Sequence, residues 1–365
     1  MRITEVEAIL VEVPFRQPFV VWRGVIPARQ HVLVRIATDT GLTGWGEGAP
    51  FLFYAAETAS DVVSMVNVVL APELIGKDPR DIRGIIAGFA MIDGHEFAKG
   101  AVETALWDIL GQSVGLPIYR LLGGARHPNV PVVAVLHSGD PPQMADEARA
   151  WVGRGFRTLK IKLGFGAERD EASVAAVREA VGTGSLIRVD AEEHYTEKEA
   201  LVMLRRIERY GIELVSQPVA RTDWDGMAAL RSALPMPLLA DEGIHAPADV
   251  VQCVRTRAAD MVNIKVLKCG GLLTSLEMAA LCHAHHLPIV VGSMIETGVG
   301  TLLSAHFALV TGGVFSTELC GPLLYRETLL DTALDIRDGA LWLGERSGLG
   351  AAVDPAQFAR YRVSS

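Results

Sequence analysis

The pattern of apolar and polar positions changes near residue 125. Before it come short alternating runs. Residues 2–13 place Val6, Ala8 and Leu10 on one face and Glu5 and Glu7 on the other, residues 31–36 form a second, mostly apolar run, and a glycine-rich turn at 41–44 leads into a third run through Trp45 and Glu47. Period-two runs separated by turn residues predict an antiparallel meander. Helical periodicity follows over 55–70, 80–90 and 98–114, the last with Val102, Ala105, Leu106, Ile109 and Leu110 on one stripe. Gly123-Gly124 then breaks the chain, so residues 1–125 read as an α+β domain.

Beyond it, short apolar runs and helical patterns strictly alternate. Strands are predicted at 130–136, 157–163, 186–190, 213–215, 237–240, 261–265, 288–292 and 315–319, and helices near 142–153, 168–183, 197–209, 224–233, 247–256, 272–286 and 298–310. Eight strands at a spacing of about 25 residues predict an α/β fold, a (β/α) barrel over 126–319, with chemistry at the C-terminal ends of the strands. A doubly wound sheet gives a similar pattern, but no GxGxxG or Walker-type loop supports it. Residues 320–365 fit no further repeat and are expected to return to the first domain. The stretch 297–317 has no Asp, Glu, Lys or Arg, yet Gly298, Gly300, His306, Gly312 and Gly313 make it a buried helix, a turn and a strand rather than a membrane span.

The predicted strand ends carry charge. In Leu159-Lys160-Ile161-Lys162-Leu163 the two lysines share one strand face and the apolar residues the other. Two ammonium groups on one confined face lower each other's pKa, which would make a neutral amine base available; an edge strand with solvated lysines is the plainer alternative. Strand three ends in Asp190 with Glu192 two residues on, strand four in Ser216, strand five in Asp241-Glu242, strand six in Lys265, strand seven runs to Ser293, Met294 and Glu296, and strand eight carries Glu318 and Cys320. Asp190 or Asp241 alone could be a helix cap. Together they place lysines on strands two and six across the barrel, with acids between. Such a site suits moving a proton next to a substrate carboxylate. The dianion formed there needs a hard divalent cation held by carboxylates, so Mg²⁺ is the expected cofactor, with Mn²⁺ as an alternative.

Composition narrows the partners. The 365 residues are 50% hydrophobic and 21% charged with a net charge of −9, and no basic cluster interleaved with aromatics is present, so nucleic-acid binding is not expected. The first residues carry charges where a signal peptide has an apolar core, and Cys253, Cys269, Cys282 and Cys320 form no CxxC pair. Both features predict a cytoplasmic protein with buried thiols and no membrane segment. His283, His285 and His286 read as a polar helix end rather than a metal cluster. Trp22 and Tyr54 either line a pocket or pack, and the same choice holds for His194-Tyr195.

The motif order then resembles a known family. KxK, Asp, Ser, Asp-Glu and Lys fall at 162, 190, 216, 241 and 265, in steps of 28, 26, 25 and 24 residues. With Gly44-Trp45-Gly46-Glu47-Gly48, Phe97-Ala98-Lys99-Gly100-Ala101-Val102-Glu103-Thr104-Ala105 and Leu121-Leu122-Gly123-Gly124, this is similar to the muconate-lactonizing branch of the enolase superfamily over essentially the whole chain. The resemblance implies a modified TIM-like barrel under an N-terminal α+β capping domain, completed by residues 320–365. It implies Lys162 and Lys265 as opposed acid/base groups, a pattern of lysine bases with Mg²⁺ described for that superfamily. Lys160 would lie against the substrate carboxylate and tune Lys162, and Asp190 and Asp241 would bind Mg²⁺. Substrate choice would come from loops around Val20–Val25 and Pro50–Tyr54, including Trp22 and Tyr54, together with Met294, Glu296, Glu318 and Cys320.

Thr317-Glu318-Leu319-Cys320-Gly321-Pro322-Leu323-Leu324 is similar to the corresponding run of muconate cycloisomerases, whereas dipeptide epimerases usually have Asp-x-Asp there. A cycloisomerase is therefore the first expectation, and a racemase or epimerase of an amino-acid derivative or dipeptide the second. Symmetric oligomers, from a dimer to an octamer, are expected on the same ground. One departure is marked: Ser216 stands where the family almost always has a metal-binding Glu. Either Glu192, on the neighbouring strand, replaces it in a triad of Asp190, Glu192 and Asp241, or catalysis is impaired and a small-molecule binding protein remains.

Overall fold

The computed structural model describes residues 1–365 except 138, 312–315 and 364–365. β1 (Ile3–Val21) and β2 (Gly24–Thr38) form a long antiparallel hairpin, and β3 (Thr43–Gly48) pairs with the far side of β2. The expected strand ending at 13 thus runs to Val21. Pro14 lacks an amide donor, and Arg16 and Gln17 break the alternation, so the ladder is interrupted between Pro14 and Phe19 and then resumes. The resumed part carries the hairpin tip at Trp22 and Arg23 to the mouth of the barrel.

The helix Glu96–Val114 lies on this sheet through small residues. A Cβ at Gly46 would stand 1.8 Å from the Ala101 carbonyl oxygen, and one at Gly44 would stand 2.2 Å from that of Ala105. Gly46→Ala must therefore push the helix off the sheet. We expect a loss of about 3 kcal/mol or more, at the upper end for overpacking a core, read as a lower midpoint in urea unfolding.

The second part is the expected barrel. After β4 (Val130–Pro131) come β5 (Ala134–Val135), β6 (Thr158–Lys162), β7 (Leu186–Asp190), β8 (Ile212–Ser216), β9 (Leu238–Ala240), β10 (Met261–Ile264) and β11 (Ile289–Val291). The last seven form one parallel sheet in sequence order, with helices between consecutive strands. Of the eighth expected strand, the described residues form a bridge. Thr317 pairs in parallel with Val132, its amide donates to Pro131 O (2.7 Å), and the Glu318 amide donates to Val291 O (2.9 Å), which joins the two sheet edges. Gly312, Gly313 and Phe315, expected in the turn and at the start of that strand, lie outside the described residues. The helix before them, Gly298–Thr311, is buried as its lack of charge predicts.

β13 (Ala340–Trp342) pairs antiparallel with β4 on one side and with β12 (Asp335–Arg337) on the other. The end of the chain reaches the first sheet: Arg362 bridges Val11, the Val363 amide donates to Leu10 O (2.9 Å), and Tyr325 bridges Phe15. All four cysteines are buried and free, and no described helix is long and apolar enough to cross a membrane.

Candidate active site

Period-two geometry on β6 turns Lys160 and Lys162 into the barrel, while Leu159, Ile161 and Leu163 pack outward against helices. Parallel pairing places Lys162 beside Asp190 and Asp190 beside Ser216 at the same level of the ring. Asp241 follows β9, and Lys265 follows β10. The strand order therefore delivers lysine, acid, serine, acid and lysine around one arc, as the motif spacing predicted.

Each ammonium group has a carboxylate. Lys160 Nζ lies 2.7 Å from Glu318 Oε1 and 2.8 Å from Asp190 Oδ2. Lys162 Nζ lies 2.8 Å from the same Asp190 oxygen and 2.5 Å from Glu192 Oε1. Lys265 Nζ lies 2.7 Å from Asp241 Oδ1. Lys268 Nζ donates to the Asp241 carbonyl at 2.7 Å. Asn263 Nδ2 donates to the second Glu318 oxygen at 3.2 Å, and Ser216 Oγ lies 3.4 Å from Asp241 Oδ2.

The electrostatics correct one expectation. Burial alone would lower the lysine pKa values. Asp190 and Glu318 beside Lys160, Asp190 and Glu192 beside Lys162, and Asp241 beside Lys265 outweigh burial and hold all three above the ordinary lysine value. Repulsion between Lys160 and Lys162 is real but smaller than attraction to the acids between them. Lys268 is the exception: burial and then Lys265 lower it. Burial would raise Asp190, but Lys160 and Lys162 hold it well below the usual carboxylate range. Burial and the adjacent Asp241 push Glu242 up to about 8.

Glu192 reaches the site by a different route from the one expected. The strand does not persist to it: Glu192 and Glu193 have φ of 47° and 62°, a left-handed turn directly after β7. That turn still points the Glu192 side chain inward, where it is buried and its own amide donates to Asp190 Oδ1 (3.1 Å). Nor does Glu192 begin a helix, because the next one starts at Glu197, capped by Thr196.

Above these groups a cavity is lined by Lys160, Lys162, Asp190, Glu192, Glu242, Lys265, Ser293 and Glu318 on its polar side and by Phe19, Phe51, Tyr54, Val135, Met294, Ile295 and Cys320 on its apolar side. Most of the expected site residues thus meet in one place. Asp241 sits just behind the lining, against Lys265. Trp22 packs instead of lining: its ring meets His194 edge-on (centroids 4.7 Å apart) and its indole N–H donates to Glu192 O at 3.3 Å. Tyr195 donates to Asp170 at 3.0 Å, away from the cavity. Glu296 turns into its own loop, accepting from the Met294 amide (2.9 Å) and the Ser293 hydroxyl. His283, His285 and His286 form an exposed helix end.

Glu242, Phe19 and Lys268 were not among the expected site residues. The tandem Asp241-Glu242 was a usable signal for Glu242, because a turn straight after a short strand brings both side chains to the same end of the barrel. Phe19 was hidden by the break at Pro14.

Metal binding can be tested against the donors present. Among the described residues no three His, Cys, Asp or Glu side chains converge as a cage, since lysines serve as counter-ions to the acids. The donor chemistry nevertheless fits a hard divalent cation: Asp190, Glu192, Asp241 and Glu242 offer only oxygen. Glu192 Oε2 and Glu242 Oε2 are buried with no hydrogen-bond partner among the described residues, a costly state that a cation would relieve.

Comparison with known proteins agrees with this architecture. Residues 3–123 match the family model for the mandelate racemase / muconate lactonizing enzyme N-terminal domain, and residues 143–357 match the enolase C-terminal domain-like model. The chain is 33% identical to an N-succinyl-L-Arg/Lys racemase of Bacillus cereus over 97% of its own length and 96% of that protein. The crystal structure of muconate lactonizing enzyme from Pseudomonas fluorescens with muconolactone superposes with a TM-score of 0.96 at 34% identity, covering 99% of both chains. A dipeptide epimerase from Enterococcus faecalis, solved with Mg and the dipeptide L-Leu-L-Tyr, gives 0.92 at 32% identity, covering 96% of this chain and 100% of that one.

Proposed function

The chain belongs to the mandelate racemase / muconate lactonizing enzyme family of the enolase superfamily, whose matched relatives are isomerases, and from that premise we propose that it is an isomerase of a small carboxylate, with muconate-type cycloisomerisation as the first reading. The observation that carries the reading is that Lys162 and Lys265 line one cavity from opposite sides of an arc of carboxylates. The substrate carboxylate would lie against Lys160 and Lys162, and its α-carbon between Lys162 and Lys265. One lysine takes or returns the α-proton, and the apolar walls exclude water and orient the rest of the molecule.

Asp190, Asp241 and Glu192 would hold Mg²⁺, or Mn²⁺ in its place. When bound, such an ion supplies charge stabilisation for the substrate carboxylate as it gains electron density, and draws on the same acids that now pair with the lysines.

A second reading, racemisation of an N-acylated amino acid, is favoured by the presence of a lysine on each face. A dipeptide with a free ammonium group is disfavoured. Glu318, the carboxylate that could meet such a group, is already bonded by Lys160 and Asn263, and Cys320 supplies no second charge. The free, buried cysteines support a cytoplasmic protein, and membership of the family supports a homo-oligomer, a dimer or larger; a monomer by light scattering at micromolar concentration would contradict the second part.

Proton NMR in D₂O with Mg²⁺ tests the reading on muconolactone, N-succinyl-L-lysine and L-Ala-L-Glu. Deuterium is expected next to the carboxylate of muconolactone or the succinylated amino acid, with the dipeptide at least about tenfold slower because its ammonium finds no free anion. Binding of any of the three without exchange in any would leave a small-molecule binding protein instead.

A further inference from the structure

Arg29 sits on β2, two residues before His31, and is buried although it does not line the cavity. Its guanidinium spends its donors on carbonyl oxygens from two parts of the chain. Nη2 donates to Ala49 O (3.2 Å) and Pro50 O (2.9 Å), directly before the cavity residue Phe51. Nη1 donates to Met294 O and, at 3.4 Å, to Ile295 O, which belong to cavity residues themselves. The guanidinium carbon stands 4.3 Å from the Phe51 ring centroid. Burying a guanidinium is costly unless its forked donors are satisfied, and here they are satisfied by joining a wall of the N-terminal domain to a wall of the barrel.

Ile295 makes this join consequential. Its φ is 58°, left-handed backbone that a β-branched residue rarely adopts. Such a conformation persists only where the surroundings over-determine it. The Ile295 carbonyl meets both Arg29 and the Tyr325 hydroxyl (2.9 Å), and Tyr325 Oη lies 2.9 Å from His31 Nε2. His31 Nδ1 in turn lies 2.9 Å from Glu47 Oε1, and Glu47 accepts the amides of Thr297 and Gly300 (2.8 Å each). Arg29, His31, Glu47, Thr297 and Tyr325 are buried, and Ile295 is half-buried.

We propose that Arg29 is a positioning residue for substrate specificity: it fixes the spacing between the Phe51 wall and the Met294–Ile295 wall, and holds Ile295 in the conformation that shapes the apolar side of the cavity. This rests on the reading that the cavity takes the substrate. The mechanical part does not, and it is tested first, on the full chain without ligand.

In hydrogen exchange read by mass spectrometry, Arg29→Met should speed exchange about tenfold or more in both 49–55 and 293–297, because bonds to a charged donor are lost at each, while the remaining barrel strands keep wild-type rates. Arg29→Lys, which keeps the charge but loses the fork, should fall between. Tyr325→Phe should speed 293–297 alone. With whichever of muconolactone or N-succinyl-L-lysine exchanges its α-proton, Arg29→Met should raise KM about tenfold and leave kcat within about threefold, since the lysines are untouched. The proposal is overturned if Arg29→Met or Arg29→Lys leaves either segment unchanged, if exchange rises evenly across the barrel, or if kcat falls while KM stays. If neither probe exchanges with the wild type, the functional reading fails, and the exchange rates still decide the role of Arg29.

Discussion

Lys162→Arg is expected to reduce α-proton exchange by at least about 10³-fold while leaving the protein folded, because general acid–base groups contribute on that scale and a guanidinium does not give up its proton. Arginine is the informative replacement. Lys162 neutralises Asp190 and Glu192, with Nζ 2.8 and 2.5 Å away, and alanine would leave Glu192 buried without its counter-ion, at a cost of about 3–5 kcal/mol. Lys162→Ala should therefore lose both activity and stability, and Lys162→Arg activity alone. Lys265→Arg separates the two chemistries. A racemase needs an acid/base on each face, so this variant would keep exchange of one enantiomer and lose the other. A cycloisomerase working through Lys162 would retain most exchange. Stereospecific exchange from each enantiomer of N-succinyl-lysine, together with thermal unfolding, reads every case. Full activity in both arginine variants would remove the lysine mechanism.

Where sequence reasoning succeeded, the property was periodic. Period two on β6 places both lysines inside, and the regular spacing of the strand ends places Asp190, Ser216, Asp241 and Lys265 along one arc. Where it fell short, a local event interrupted the period. Pro14 concealed the hairpin extension that brings Phe19 to the cavity, and the left-handed pair at Glu192 and Glu193 decided how an acid beyond the strand could still face inward. The sign of the lysine pKa shifts was out of reach for another reason. It depends on which of several nearby charges is closest, and the shared contact of Lys160 and Lys162 with one Asp190 oxygen is a distance that no spacing rule contains. Arg29 was invisible in the same way: a lone arginine in an alternating strand reads as a surface residue until its carbonyl partners, some 20 and 265 residues away, come into place.

Glu192→Gln is expected to weaken Mg²⁺ and Mn²⁺ binding by about tenfold or more, the scale for losing a charged ligand or its support. Ser216 lies between Asp190, its strand partner, and Asp241, whose Oδ2 is 3.4 Å from the serine hydroxyl, so the position that would ordinarily add a third carboxylate has only a short hydroxyl. Adjacent strands are about 4.8 Å apart, a gap that a glutamate side chain spans from either side. Glu192 is buried at that gap with Oε2 unbonded among the described residues. The exchange of positions can be reversed. Glu192→Asn with Ser216→Glu should restore affinity, while Glu192→Asn alone should not. Glu242 is the control, since it also has an orphaned oxygen and lines the cavity from the other side of Asp241. If it supplies the third carboxylate, Glu242→Gln rather than Glu192→Gln will carry the loss. Electron paramagnetic resonance of bound Mn²⁺, with titration calorimetry for Mg²⁺, measures affinity without turnover. Unchanged Mn²⁺ affinity in Glu192→Gln would assign the third ligand elsewhere.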